Sequence, residues 1–159
     1  MRVLVGSSTT CYHYEHDGEE YGSWSRSNSF SIDSVRVARD DEQEPYGTDG
    51  FLIPDGSDIA YVLSMTYSTG DSFGKSDGEG AILGCFGSLE VARAAKAAVE
   101  ANEDNYSIEV VDDFGRSIKM TNPGAGYFES IGRINIQLFP LHKSKFLGYK
   151  GISQRKIKR

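Results

Sequence analysis

Residues 59–68 read Ile-Ala-Tyr-Val-Leu-Ser-Met-Thr-Tyr-Ser, and residues 81–102 read Ala-Ile-Leu-Gly-Cys-Phe-Gly-Ser-Leu-Glu-Val-Ala-Arg-Ala-Ala-Lys-Ala-Ala-Val-Glu-Ala-Asn. The first segment is rich in branched and aromatic side chains, which suit a pleated and half-buried surface, so it reads as a strand. Ala81 to Phe86 reads as a strand returning to it across a Gly-rich loop over Thr69 to Gly80. Ser88 is an N-cap, because its hydroxyl accepts from the free N–H groups of a first helical turn. Glu90 then sits where a carboxylate favours the helix N-terminus. The spacing predicts a helix from Ser88 to Asn102. Its stripe of Leu89, Ala92, Ala95 and Val99 is small enough to lie close against a sheet.

The same reading extends downstream. Tyr106 to Val111 is a strand, Asp112-Asp113-Phe114-Gly115 a turn and Ser117 to Thr121 its partner strand. Asn122-Pro123-Gly124 breaks the chain, and Ile131 to Leu141 forms a last strand with Ile134, Ile136 and Leu138 on one face. The order over residues 59–141 is ββαβββ, and its hairpin-length connections predict mainly antiparallel pairing. The expected fold class is α+β, with one principal helix on the sheet.

Residues 1–39 read as an N-terminal β-hairpin unit. Val3 to Val5 and Thr9 to Tyr14 are strand-like, Asp17-Gly18 supplies a turn, and from Tyr21 the chain alternates. Trp24, Arg26, Asn28, Phe30 and Ile32 fall on one face, while Ser23, Ser25, Ser27, Ser29 and Ser31 fall on the other, which is too polar for a core. Val35 and Val37 fall out of that phase and predict a bulge before them. Residues 40–58, dominated by acid, Pro and Gly, read as one long irregular loop between the halves.

The chain has 159 residues, 38% hydrophobic and 25% charged, which fits one ordinary soluble domain. Its apolar runs are too short for a membrane-spanning helix, and Met1 to Val5 meets Gly6-Ser7-Ser8 too soon for a signal peptide, so a cytoplasmic protein is expected. Cys11 and Cys85 read as free, buried thiols in a reducing compartment. The charge is split. The last 18 residues carry seven Lys and Arg and no acid, whereas the first 141 hold 10 basic and 23 acidic groups, a net −13. A chain polarised in this way is built for recognition, by presenting its two signs to different partners or folding one onto the other.

Catalytic signatures are weak by comparison. Gly70-Asp71-Ser72-Phe73-Gly74-Lys75-Ser76 has three residues where a phosphate-cradling loop has four, and no helix is expected after Lys75. Gly70-Asp71-Ser72 matches the nucleophile block of Gly-Asp-Ser esterases, yet Phe139 stands where their Asp would precede His142, so Ser72 has no oriented base. Cys11, His13 and His16 are ligand types that zinc accepts, but on a strand Cys11 and His13 share a face and His16 falls opposite, next to a turn. Asp40-Asp41 and Asp112-Asp113 sit in turn-like settings where both carboxylates stay ionised. The sequence therefore points to a protein that is not an enzyme and uses no cofactor or metal.

Tyr67-Ser68-Thr69-Gly70-Asp71-Ser72-Phe73-Gly74, the downstream Gly126-Tyr127-Phe128-Glu129-Ser130 with its Ile-rich strand, and the Trp-Ser-Arg-Ser hairpin within Tyr21 to Phe30 together resemble a group of small accessory proteins encoded by tailed bacteriophages. The resemblance covers most of the chain and carries no catalytic residues. It implies a phage product in the cytoplasm of an infected bacterium, where such proteins bind host machinery or block immune factors.

The expectation is a binding protein that inhibits or redirects a host or immune-defence protein with a basic surface. Asp40, Asp41, Glu42 and Glu44 would steer the encounter, and Tyr46, Trp24 and Phe73 would anchor it. Tyr12, Tyr14, Tyr127 and Phe128 are further aromatic candidates. The alternative is a nucleic-acid or small anionic-ligand site built from the Gly-rich loop with Ser72 and Lys75, and from Lys143 and Lys145 in the basic tail of residues 142–159. Membrane partners are not expected, and a homo-oligomer is compatible with either reading.

Overall fold

The computed structural model of the protein describes residues 1–16, 24–71 and 73–141. The expected Asp17-Gly18 turn, Ser72, and the tail with Lys143 and Lys145 lie outside the described residues. Within them the order is β1 (Arg2–His16), β2 (Trp24–Val37), β3 (Thr48–Leu52), β4 (Ile59–Gly70), β5 (Gly74–Phe86), α1 (Leu89–Glu100), β6 (Ser107–Val111), β7 (Ser117–Thr121) and β8 (Glu129–Pro140). Six strands form one mixed sheet in the order β3-β1-β2-β5-β4-β8, and β6 pairs with β7 separately. The protein is mostly β with a single helix among the described residues, a form of α+β.

α1 follows its sequence signals. Ser88 is the N-cap and accepts from Val91 N–H at 3.4 Å, and Glu90 stands in the first turn. Ala92, Ala95 and Val99 are buried against Leu63, Met65, Leu83 and Phe86 of β4 and β5 and against Ile108, Val110 and Met120 of the β6–β7 pair. A large side chain buried in this way stabilises the fold by about 1.5–3 kcal/mol. A second cluster fills the other face, where Ala60, Val62 and Cys85 meet Val3, Val5 and Ile53. The sheet thus coils until β1 covers the face of β4 and β5 opposite α1.

The expected bulge lies at Asp33. Gly6 pairs with Ser34 and Ser7 with Ile32, leaving Asp33 unpaired and bringing Ile32 and Val35 both toward the second cluster. Ser27, Ser29 and Ser31 are exposed, as the polar face requires.

Three local readings are corrected. The stretch 40–58 is not wholly irregular, because Thr48–Leu52 pairs antiparallel with Arg2–Gly6 as an edge strand. The Gly-rich segment is not a loop throughout, because Thr69 and Gly70 belong to β4 and residues 74–80 to β5. The reason is the crossing of β2, which pairs parallel with β5 from Trp24 opposite Gly74 to Ser27 opposite Asp77. A Cβ at Gly80 would lie 1.9 Å from Phe30 Cγ, and one at Gly78, whose φ is +79°, would lie 2.3 Å from the Asn28 carbonyl oxygen. Only glycine admits both contacts. Buried Ser76 completes the crossing: Asn28 Nδ2 donates to its Oγ at 2.8 Å, and that hydroxyl donates to Glu79 Oε2 at 2.5 Å. The third correction is Cys11, which is exposed, while Cys85 is buried as expected and burial pushes its thiol up to about 12.

Candidate functional site

The predicted partner-binding residues separate into two regions. Asp40, Asp41, Glu42, Glu44 and Tyr46 lie in the turn before β3, beside the start of β1. Trp24 and Phe73 lie at the other end of the sheet, where Trp24 opposes His16 at the end of β1 and Gly74 at the start of β5. The eleven residues of β1 from Gly6 to His16 separate the regions by about 30 Å.

In the loop region the acids are engaged internally. Glu42 is bonded by both guanidinium nitrogens of Arg36, accepts from the Arg39 backbone N–H at 3.1 Å and lies 3.9 Å from Arg39 Nε. The Arg36 hydrogen bonds, then the Arg39 N–H, hold its carboxyl down at about 2. Glu44 lies 3.8 Å from Arg2 and also folds across Gly50. Asp40 and Asp41 are exposed, and Tyr46 is fully exposed.

At the far end, Gly70 and Asp71 lie between the entry to β8 and the start of β5. Gly70 N–H donates to the Phe128 carbonyl at 3.0 Å, and Asp71 N–H to the Gly74 carbonyl at 2.8 Å. This brings three exposed aromatics to one place: Phe73, Phe128 and Tyr127, which is 92% exposed. Tyr127 and Phe128 touch edge to face with ring centroids 4.6 Å apart, a favoured aromatic arrangement.

Next to them lies a groove of about 500 Å³, lined by Glu103 and Asp104 after α1 and by Gly124, Tyr127, Glu129 and Ile131. Asn122, 1% exposed, lies behind the lining and braces it. Its Nδ2 donates to the carbonyls of Glu103 and Asn105, both at 3.1 Å, and its Oδ1 accepts from Gly124 N–H at 3.1 Å. One side chain thus clamps the loop after α1 to the loop before β8. The Glu129 carboxylate lies over Gly126, where a Cβ would be 2.1 Å from its Oε1.

The electrostatics of this groove have one sign. No basic residue stands in the last turn of α1, so the partial negative charge of the helix C-terminus adds to the carboxylates. Among the described residues, no ion pair engages Glu103, Asp104 or Glu129. Burial, followed by the charges of Glu79 and Glu129, pushes the nearby Tyr67 hydroxyl above its usual range. Such a groove favours a cation.

The other candidates are placed as follows. Lys75 is exposed on β5, opposite Ser25 and Gly70, and no helix opens at it. Asp112 is a turn residue: its Oδ1 accepts from Phe114 and Arg116 N–H, and Arg116 pairs with its Oδ2 at 3.0 Å. Burial works to raise its pKa, but these bonds outweigh it and hold the carboxyl below its ordinary value. Asp113 accepts from Gly87 N–H at 2.9 Å, so the β6–β7 turn supports the N-terminus of α1, and burial raises its pKa. At Cys11, β1 carries a register shift before His13. Among the described residues no three His, Cys, Asp or Glu side chains are grouped to hold a metal, and no helix is long and apolar enough to cross a membrane.

A second hollow of about 410 Å³ lies over β4 and β8, lined by Phe30, Ser64, Thr66, Arg133, Asn135 and Gln137. Arg133 is its only charged lining residue. Tyr127 and Phe128 are legible in the sequence as aromatic candidates, whereas Glu103, Asp104, Asn122 and Glu129 are not marked there as site residues. The adjacent acids after the helix were the available signal. No protein-family model, curated protein or solved structure matches the chain.

Proposed function

We propose that this protein is a non-catalytic binding protein whose contact surface is the aromatic and acidic end of the sheet. Its partner is a host or immune-defence protein with a basic surface, in the phage setting that the sequence resemblance implies. The observation that carries the reading is the exposed Tyr127–Phe128 pair beside a groove whose three carboxylates have no cation among the described residues. Large aromatics supply contact area at low conformational cost, and unpaired like charges steer an oppositely charged partner to them.

The test is affinity capture from bacterial lysate with the full chain, at low and high salt and after nuclease treatment. A partner retained after nuclease, released by salt and lost with the Tyr127→Ala, Phe128→Ala double variant fits the proposal. Capture that disappears with nuclease favours a nucleic-acid reading and overturns it. So does a partner indifferent to the aromatic double variant.

A further inference from the structure

The face of β4 and β8 opposite α1 changes character along its length. Its cross-strand pairs run from Ala60 opposite Phe139 and Val62 opposite Gln137 to Ser64 opposite Asn135 and Thr66 opposite Arg133. Ala60, Val62 and Phe139 belong to the second core cluster. Beyond them the same face opens into the hollow of about 410 Å³, with Phe30 on its other side.

A bulge builds the charged wall of this hollow. Thr66 pairs with Arg133 and Tyr67 with Ile131, so Gly132 is left over. Ile131 packs with Ile134 and Ile136 against the α1 cluster, and in an unbroken strand Arg133 would share the face of Ile131. The extra residue turns Arg133 to the opposite face, where its backbone N–H donates to Thr66 Oγ1 at 3.1 Å. A Cβ at Gly132 would lie 3.0 Å from that oxygen, so the close approach suits glycine.

The polar groups around the hollow are not used by the fold. Ser64 is 5% exposed, yet its hydroxyl has no hydrogen-bond partner among the described residues, and neither do the Asn135 and Gln137 amides or the Arg133 guanidinium. Buried polar groups are ordinarily paired, and a position continuing the row of Ala60 and Val62 needs no hydroxyl. Among the described residues no carboxylate lines the hollow, so the Arg133 charge is not cancelled within it. The half-buried Phe30 ring is seated over Gly80 and supplies a fixed flat wall.

We propose that this hollow binds a small organic anion carrying a flat, hydrogen-bonding ring. The planar fork of Arg133 takes the phosphate or carboxylate. Asn135 and Gln137, each with a donor and an acceptor, meet the polar edge of the ring, and Phe30 packs against it. The volume is within the range of small-molecule sites. A nucleoside monophosphate and a heteroaromatic carboxylate share this chemistry. The site is separate from the acidic groove, which Ile131 lines on the other face of β8.

NMR titration of the full chain with adenosine monophosphate, uridine monophosphate, orotate, uridine and inorganic phosphate tests the proposal. At least one of the three ring-bearing anions is expected to bind with a Kd below about 1 mM and to shift the side-chain signals of Asn135, Gln137 and Arg133. Binding of a monophosphate but not orotate assigns a nucleotide source, and the reverse assigns a free carboxylate. Uridine and inorganic phosphate, each holding part of the chemistry, are expected to bind at least about tenfold more weakly. Arg133→Gln should weaken the anion at least about tenfold, and Arg133→Lys, which keeps the charge and loses the fork, by less. Unchanged backbone shifts around α1 check that both variants keep the fold. No shift from any of the three anions at about 10 mM overturns the proposal. So does inorganic phosphate binding as tightly as they do, or affinity unchanged in Arg133→Gln. Partner capture through Tyr127 and Phe128 is unaffected by any of these results.

Discussion

In the loop after β2, Glu42 lies between Arg36 and Arg39 and Glu44 faces Arg2; in the groove beside β8, Glu103, Asp104 and Glu129 line one hollow with no cation among the described residues. In the sequence the loop, with four acids in five residues, looks the more acidic of the two. What separates them is the direction in which the charge is spent. Glu42 and Glu44 fasten the loop to neighbouring strands, so from a distance these two charges are largely cancelled by their arginines, which leaves exposed Asp40 and Asp41. The groove acids repel one another and the helix C-terminus, an arrangement that costs stability and gains a field directed outward. Count of acids therefore misleads about where a cationic partner is drawn, and the pairing of each acid decides it.

One wall of the groove is the turn that follows α1, through Glu103 and Asp104, so it depends on where the helix is held. Replacing Ala95 with Glu places an unpaired charge at a position 1% exposed between the helix and β4. The expected loss is about 3–5 kcal/mol, read as a lowered urea midpoint. A loss under about 1 kcal/mol would mean that α1 shifts freely and that the groove has no fixed wall.

Asn122→Ala removes the clamp more selectively. It leaves the carbonyls of Glu103 and Asn105 without their donor in a part-buried setting, at an expected cost of about 2–3 kcal/mol. Partner affinity should fall with it, because the loop after α1 is no longer held to the loop before β8. Chemical shifts around Glu42 should stay fixed in the alanine variant. Movement there would show the two regions to be one coupled unit.

How much of this was legible in the chain follows from the range of each interaction. The helix could be read because Ser88, Glu90 and the Ala92, Ala95, Val99 stripe act within a few turns of one another. The bulge at Asp33 could be read because Ile32 and Val35 break their own alternation. β3 was hidden: Thr48–Leu52 is held by pairing with Arg2–Gly6, more than forty residues away, inside a stretch whose Pro, Gly and acids signal a loop. Gly78 and Gly80 looked like loop residues for the same reason, since it is the approach of Asn28 and Phe30 that requires them. Asn122 in Asn-Pro-Gly reads as a turn former, and nothing local shows that its amide reaches two carbonyls across another loop.

Tyr127→Ala with Phe128→Ala should leave stability within about 0.5 kcal/mol, because both rings are exposed, yet weaken the partner by about tenfold or more. Isothermal titration or surface binding reads the affinity, and the urea midpoint reads the stability. A matching loss of both would make the pair structural. Loss of affinity from Tyr46→Ala of the same size would return the interface to the loop.

The pairing of Glu42 has its own titration. Its folded pKa of about 2 lies below the ordinary carboxyl value, so the stabilisation from its ionised form is present above that ordinary value and is lost as pH falls through about 2. Carboxyl carbon shifts should show this midpoint in the parent chain. In Arg36→Gln the midpoint should rise toward the ordinary range, because the principal donor pair is gone. An ordinary midpoint in the parent would mean that the loop charges are open to solvent and available to a partner.

The smallest effect expected is on association rate, and it tests the comparison most directly. Two amide variants remove charge with little change of shape: one converts Asp40, Asp41, Glu42 and Glu44, and the other converts Glu103, Asp104 and Glu129. If acids steered by number, the loop variant, with four changes, would slow association more. If they steer by the field left after internal pairing, the groove variant should slow it more at low salt, by a few-fold, and should flatten its salt dependence. In the loop variant only exposed Asp40 and Asp41 contribute to steering, while loss of the Glu42 contacts leaves Arg36 and Arg39 uncompensated and adds repulsion toward a basic partner. Part of any slowing there comes from those released arginines. A third variant, Asp40→Asn with Asp41→Asn, separates the two causes, because it leaves Glu42 and its arginines intact. Association slowed by that pair as much as by the groove variant would show that the loop, for all its internal pairing, still guides the encounter.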